Sequence, residues 1–248
     1  VKRTSLIIVS VLVLLSIALT ACQPASTKVR VATDATFPPF ETVDEATKEL
    51  TGFDVELMNA LAAKAGIEIE WVNIGFDPML AGLSQCQYDV AIAAITITED
   101  RKKDMLFSEP YINAGQIISV QKSNTEITGP ESLAGKKVGA QLGTTGAIEA
   151  QKIEGVELKT YDSYDLAFLD LANGQIDAVI ADYPTALGFI GQNSEKLTTV
   201  GEVFTDESYG IAVCNKNADL LKKINDGLAA IKADGTVQKL EMKWLAGQ

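Results

Sequence analysis

The sequence has no histidine. That removes Ser-His-Asp and Cys-His relays and any histidine-ligated metal centre. Cysteine is scarce as well, with only Cys22, Cys86 and Cys214. No C-x-x-C pair occurs, so thioredoxin-type exchange and structural zinc are not expected, and neither a metal nor an organic cofactor is called for. Basic charge is in deficit: 21 Lys and Arg stand against 33 Asp and Glu, a net charge of −12. Phosphate backbones repel such a chain, which argues against nucleic acid as a partner. A negative charge of this size serves solubility. Long apolar runs are also missing from the body of the chain, where nothing approaches the roughly 18 consecutive apolar residues of a spanning helix.

One uncharged, mainly apolar run does exist. It extends from Leu6 to Leu19, behind Lys2 and Arg3. At about 14 residues it is too short to span a bilayer. A basic start followed by an apolar stretch is the layout of a secretory signal peptide. The run ends in Leu19-Thr20-Ala21-Cys22, which resembles the lipobox of bacterial lipoproteins. That resemblance implies a signal peptide over residues 1–21, acylation of the Cys22 thiol, and an extracytoplasmic chain anchored to a membrane by its lipid. Residues 22–28 would be a tether. In an oxidising compartment Cys86 and Cys214 could pair; two separate buried thiols fit the sequence equally well.

From Val29 onward, strand and helix patterns alternate, which predicts an α/β architecture. Val29 to Thr33 reads as a strand. Gly52 to Gly66 reads as a helix, with Asp54 able to cap its start and Gly66 its end. Ile67, Ile69 and Trp71 alternate as in a half-buried strand. Asp77-Pro78 opens another helix. Asp89 to Ile95 is a continuous apolar run, as in a buried parallel strand. A similar block follows, with strands at Val138–Gln141, Val156–Thr160 and Asp177–Ala181 and a helix at Ser163–Asn173. Tyr88 to Ala93 and Ile176 to Ala181 echo each other, so two lobes of related design are expected. Tyr209 to Cys214 then reads as a strand, Ala218 to Ala233 as an amphipathic helix, and a last helix runs to Trp244. This predicts a discontinuous first lobe over 29–111 and 209–248 and a second over 117–204. The crossings would lie near 112–116 and 205–208 and allow hinge closure.

Ligands of open α/β sheets sit at the carboxyl ends of the strands. Those ends carry Asp34 and Phe37, then Phe76, then Thr96 and Arg101, then Gln141 and Thr145, then Asp182. Together they suit a zwitterion. Arg101 can hold an α-carboxylate with two charge-assisted bonds. Thr96 and the helix start at Thr144-Thr145 can complete its shell. Asp182 can accept from an α-ammonium, while Phe37 and Phe76 can sandwich an aliphatic side chain.

Several segments carry a more specific signal. Asp34-Ala35-Thr36-Phe37-Pro38-Pro39-Phe40-Glu41, Gly52-Phe53-Asp54, Ala94 to Arg101, Phe107-Ser108-Glu109-Pro110-Tyr111, Gly143-Thr144-Thr145-Gly146 and Ala181-Asp182-Tyr183-Pro184 together resemble bacterial solute-binding protein family 3, the receptors for polar amino acids. The resemblance covers essentially all of Val29 to Trp244. It implies a periplasmic-binding-protein-like type II fold, in which each lobe is a mostly parallel sheet flanked by helices, joined by a two-strand hinge. It implies a monomer that closes on a free amino acid and hands it to the permease of an ABC importer. By the same resemblance Thr96 and Arg101 bind the α-carboxylate with the Thr145 amide. Asp182 and the Ala94 carbonyl bind the α-ammonium. Phe37 and Phe76 flank the side chain, and Asp34 with Gln141 meets its far end. Asp34 in so acidic a chain favours arginine or another basic amino acid, with glutamine the alternative. Some relatives of this fold resemble dehydratases, but no carboxylate beyond the clamp suggests a general acid here, so no enzyme activity is expected.

Overall fold

Apolar strands alternating with amphipathic helices carry the chain across two sheets. The computed structural model describes residues 28–246; the predicted signal peptide, Cys22 and nearly all of the tether lie outside them. The first sheet is ordered Ile69–Asn73, Val29–Thr33, Val90–Ala91, Ala212–Cys214, Met105–Phe107. The second is ordered Glu157–Tyr161, Lys137–Gln141, Ala178–Asp182, Gln116–Gln121, Leu197–Val200. In both, four strands run one way and the fourth in order is reversed. Each reversed strand directly follows a passage between lobes. Those passages, Ile112–Ala114 and Glu207–Tyr209, pair antiparallel as a two-stranded ribbon.

The helix Phe53–Ala65 shows how local sequence sets an element. Gly52 precedes it at φ 128°, where a Cβ would lie 2.2 Å from the Phe40 carbonyl oxygen. Gly66 closes it in the left-handed conformation. Asp54 does not cap the helix. It lies inside the first turn, fully buried, with its carboxylate turned to the Ala94 N–H. The helix Ala218–Ala233 buries Ile224, Leu228 and Ile231, and its Gly227 lets it approach Leu61 of the first helix.

Two expected strands are shorter than their apolar runs. Of Asp89–Ile95 only Val90–Ala91 is strand, because Ala94 turns to φ 46° and sends its N–H out of the ladder. Tyr209–Cys214 is broken at Gly210-Ile211, its first part joining the ribbon and its second the first sheet. Cys86 and Cys214 are disulfide-bonded, with Cα atoms 5.1 Å apart.

Two carboxyls share the core of the first lobe. Burial, with the neighbouring Asp54 adding to it, pushes Glu41 well above the usual carboxylate range. Burial likewise pushes Asp54 up to about 7. Both therefore hold protons in the folded chain at pH values where the unfolded chain has released them. For Asp54 the stabilisation is complete below the unfolded value near 4 and is lost as pH rises through about 7, and Glu41 contributes in the same direction. Stability is expected to fall between pH 4.5 and 8 by up to about 1.4 kcal/mol per pH unit for each proton held, read as a falling melting midpoint. Glu41→Gln should flatten that slope in a pH series of thermal melts. An unchanged slope would place its origin elsewhere.

Candidate functional site

The strand ends of the two lobes face each other, and their polar side chains meet directly. On the first lobe, Asp34 follows strand Val29–Thr33 and is buried. Its Oδ2 accepts from the Phe76 N–H at 3.1 Å and from the Gln141 amide of the second lobe at 2.8 Å. Its Oδ1 accepts from the Thr36 hydroxyl at 2.9 Å. Gln141 ends strand Lys137–Gln141 and also donates to the Asp162 carbonyl at 3.0 Å. Burial raises the Asp34 carboxyl above its ordinary range, although these donors oppose the shift.

Arg101 bridges the lobes. One terminal nitrogen donates to the Thr96 carbonyl at 2.7 Å and the other to the Gly143 carbonyl at 3.0 Å. Its guanidinium lies 5.5 Å from the Phe76 ring centre, a cation–π distance. Gly143 is at φ 80°, and a Cβ there would come within 3.0 Å of the Asp77 carboxylate, so both conformation and crowding favour glycine. Burial lowers the Arg101 pKa, opposed by Asp182 and then Glu207. Phe37, also buried, meets the Tyr164 ring of the second lobe edge-on at 5.5 Å.

A second cluster centres on the crossing strand. Glu207 Oε2 accepts from the Thr96 hydroxyl at 2.9 Å and the Thr145 hydroxyl at 2.8 Å. Those hydroxyls, from opposite lobes, are 3.3 Å apart. The Gln116 amide nitrogen reaches Thr145 and Asp182 at 3.1 Å each and Glu207 Oε1 at 3.2 Å. Asp182 ends strand Ala178–Asp182 and is buried. Burial first, and the charge of Glu207 second, push its carboxyl up to about 7, while Arg101 pulls it down. Ala94 lies two residues before Thr96, at φ 46°.

Asp34, Thr96, Arg101, Gln141, Thr145 and Asp182 thus form two linked polar clusters, with Phe76 beneath the guanidinium and Phe37 against Tyr164. Gln116 and Glu207 belong to the same cleft and escaped the sequence reading. Neither stands at the carboxyl end of a sheet strand: Gln116 begins a strand and Glu207 lies on a crossing. The signal present was an acidic residue inside a predicted hinge. Among the described residues no group of three or more His, Cys, Asp or Glu is arranged to hold a metal ion. The arrangement offers one guanidinium, three carboxylates, two hydroxyls and aromatic faces. That set can hold a small molecule carrying both signs of charge.

Comparison with known proteins agrees with this geometry. The family model described as bacterial extracellular solute-binding proteins, family 3, matches residues 29–247. The L-cystine-binding protein TcyJ of Escherichia coli K12 is 38% identical over 216 residues, covering 86% of this chain and 81% of that protein. The ABC transporter arginine-binding protein 1 of the same organism is 38% identical over 227 residues, covering 89% and 91%. Among solved structures, an ancestral arginine-binding protein bound to arginine matches with a TM-score of 0.84 at 44% identity, covering 88% of this chain and 98% of that one.

Proposed function

The chain belongs to family 3 of the bacterial extracellular solute-binding proteins, and we propose on that premise that it captures arginine or another basic amino acid between its lobes and delivers it to the permease of an ABC importer. The family consists of solute-binding proteins rather than enzymes. One observation carries the choice of ligand: Asp34, Asp182 and Glu207 line the cleft against the single guanidinium of Arg101. A zwitterion's carboxylate uses that guanidinium. Its α-ammonium uses one or two of the carboxylates, beside the Ala94 carbonyl. A carboxylate remains for a side-chain cation, with Asp34 and Gln141 at its far end and Phe37 and Phe76 along its aliphatic part. A buried charge is tolerated only when paired, so a cationic side chain suits this balance better than an acidic one. The ligand's carboxylate would take over the Thr96 and Thr145 hydroxyls that Glu207 holds. Differential affinity for the closed arrangement drives closure. The mature chain acts as a monomer, anchored outside the cytoplasm by a lipid on Cys22.

A second reading has its own support. A related ancestral arginine-binding protein is also known bound to glutamine, at 44% identity to this chain and a TM-score of 0.84. Asp34 can accept from a neutral amide as well as from a cation.

A thermal-shift screen separates these readings. The chain from Gln23 onward, freed of co-purified ligand by unfolding and refolding, is tested with arginine, lysine, ornithine, histidine, cystine, glutamine and glutamate. A ligand at 100 times its Kd adds about 2.7 kcal/mol of stability. Arginine or lysine is expected to give the largest rise in midpoint. A rise with glutamine alone would make Asp34 an amide acceptor, and no rise with any amino acid would defeat the proposal.

A further inference from the structure

Asp54 stands behind the cleft rather than in it. It is fully buried in the first turn of helix Phe53–Ala65. A single oxygen, Oδ2, accepts at 2.7 Å from the Ala94 N–H and at 2.7 Å from the Tyr111 hydroxyl. Ala94 is at φ 46°. Residues with a Cβ seldom occupy that region, and such a conformation persists only where its surroundings hold it. The strand Val90–Ala91 ends three residues earlier, so no ladder partner fixes the Ala94 N–H; the carboxylate does. Two residues on, Thr96 offers its hydroxyl to the cleft and its carbonyl to Arg101. Tyr111 immediately precedes the crossing strand Ile112–Ala114.

The setting is costly for a residue with only a packing role. Glu41 lies beside Asp54, fully buried, and neither of its carboxyl oxygens has a hydrogen-bond donor among the described residues. Two neighbouring buried carboxyls with no cation between them lower stability compared with apolar side chains of similar volume. They coexist because both are protonated below about pH 7 and burial holds the proton of Glu41 more firmly than that of Asp54, which leaves Asp54 Oδ2 to its two donors.

We infer that Asp54 is a positioning residue for the ligand clamp: it fixes the Ala94 turn from which the Ala94 carbonyl, the Thr96 hydroxyl and, through the Thr96 carbonyl, Arg101 are presented, and it ties that turn to the crossing strand through Tyr111. This rests on the amino-acid-binding reading. Asp54 itself touches no ligand. It acts through the backbone of Ala94 and Thr96.

Three variants and one measurement on the unsubstituted chain test it. Asp54→Ala removes the acceptor of both bonds and, at pH 8 where the carboxyl is ionised, is expected to weaken arginine binding by about thirtyfold, the effect of freeing the Ala94 N–H from a buried bond to a charged group. Asp54→Asn keeps both the side-chain volume and an oxygen for the Ala94 N–H and is expected to stay within about fivefold, a rescue that loss of the negative charge alone would not give. Tyr111→Phe leaves the Ala94 bond in place but cuts the tie to the crossing strand, and is expected to weaken arginine binding less than Asp54→Ala does. Calorimetry with arginine reads all three, with circular dichroism confirming the fold. A folded Asp54→Ala that binds within about twofold of the unsubstituted chain overturns the inference, as does an Asn variant no better than the Ala variant. If the Ala variant does not fold, hydrogen exchange of the Ala94 amide in the unsubstituted chain decides. Exchange as slow as that of the core strands is expected, and exchange as fast as that of a surface loop overturns the inference. Failure of the unsubstituted chain to bind any amino acid sinks the functional reading instead, and the exchange rate then decides whether Asp54 holds the turn.

Discussion

Arg101→Ala is expected to lose arginine binding by about 3–5 kcal/mol, the penalty for leaving a buried charge without its partner. That corresponds to between two and four orders of magnitude in Kd. Two structural facts support so large an effect. The guanidinium sits at the seam of the lobes, held by the Thr96 and Gly143 carbonyls, and it is stacked on Phe76. It also faces Asp182 and Glu207, so it balances the negative charge of the cleft even before a ligand's carboxylate is considered. Arg101→Lys should recover little, because an ammonium cannot present the planar fork that reaches two acceptors at once. Calorimetry with arginine measures both variants, and affinity near that of the unsubstituted chain would remove Arg101 from the site.

The second large effect concerns the bond between Cys86 and Cys214. These residues are separated by 128 positions, and the whole second lobe lies between them. Closing so long a ring removes conformational freedom chiefly from the unfolded chain, worth about 4–5 kcal/mol in the chain-entropy treatment. Replacing both cysteines by serine is expected to lower the melting midpoint by roughly 10–20 °C for a chain of this size. Melting with and without a reductant should show the same gap in the unsubstituted chain and none in the double variant. A loss below about 1 kcal/mol would mean that the unfolded chain already holds the two segments together.

Much of the architecture is legible because its causes are local. Gly66 ends a helix in the left-handed conformation wherever that helix packs, and the Ala218–Ala233 stripe has the spacing of a buried face. The positions of Asp34, Gln141 and Asp182 follow from a general property of α/β sheets, that strand ends are where ligands meet them. What stays hidden depends on partners remote in sequence. Asp54 looks like a helix cap because its neighbours in sequence are a turn and a helix. Its actual partners, Ala94 and Tyr111, lie 40 and 57 positions away. Glu207 bonds to residues 111 and 62 positions earlier, and no periodicity announces such contacts. The apolar run Asp89–Ile95 promised a long strand because hydrophobicity records burial but not φ, and it is φ at Ala94 that ends it.

The reversed strand in each sheet also sets an order of assembly. The second sheet draws all five of its strands from one uninterrupted stretch, Gln116 to Val200. The first sheet must wait for Ala212–Cys214, and its helix layer for Ala218–Ala233. A chain that appears on the far side of a membrane amino end first therefore presents every strand of the second sheet before the last strand of the first. Until then the first lobe is a sheet with a gap between Val90–Ala91 and Met105–Phe107, and Cys86 is a thiol without its mate. The bond between Cys86 and Cys214 then ties that last strand to the segment leading into Val90–Ala91.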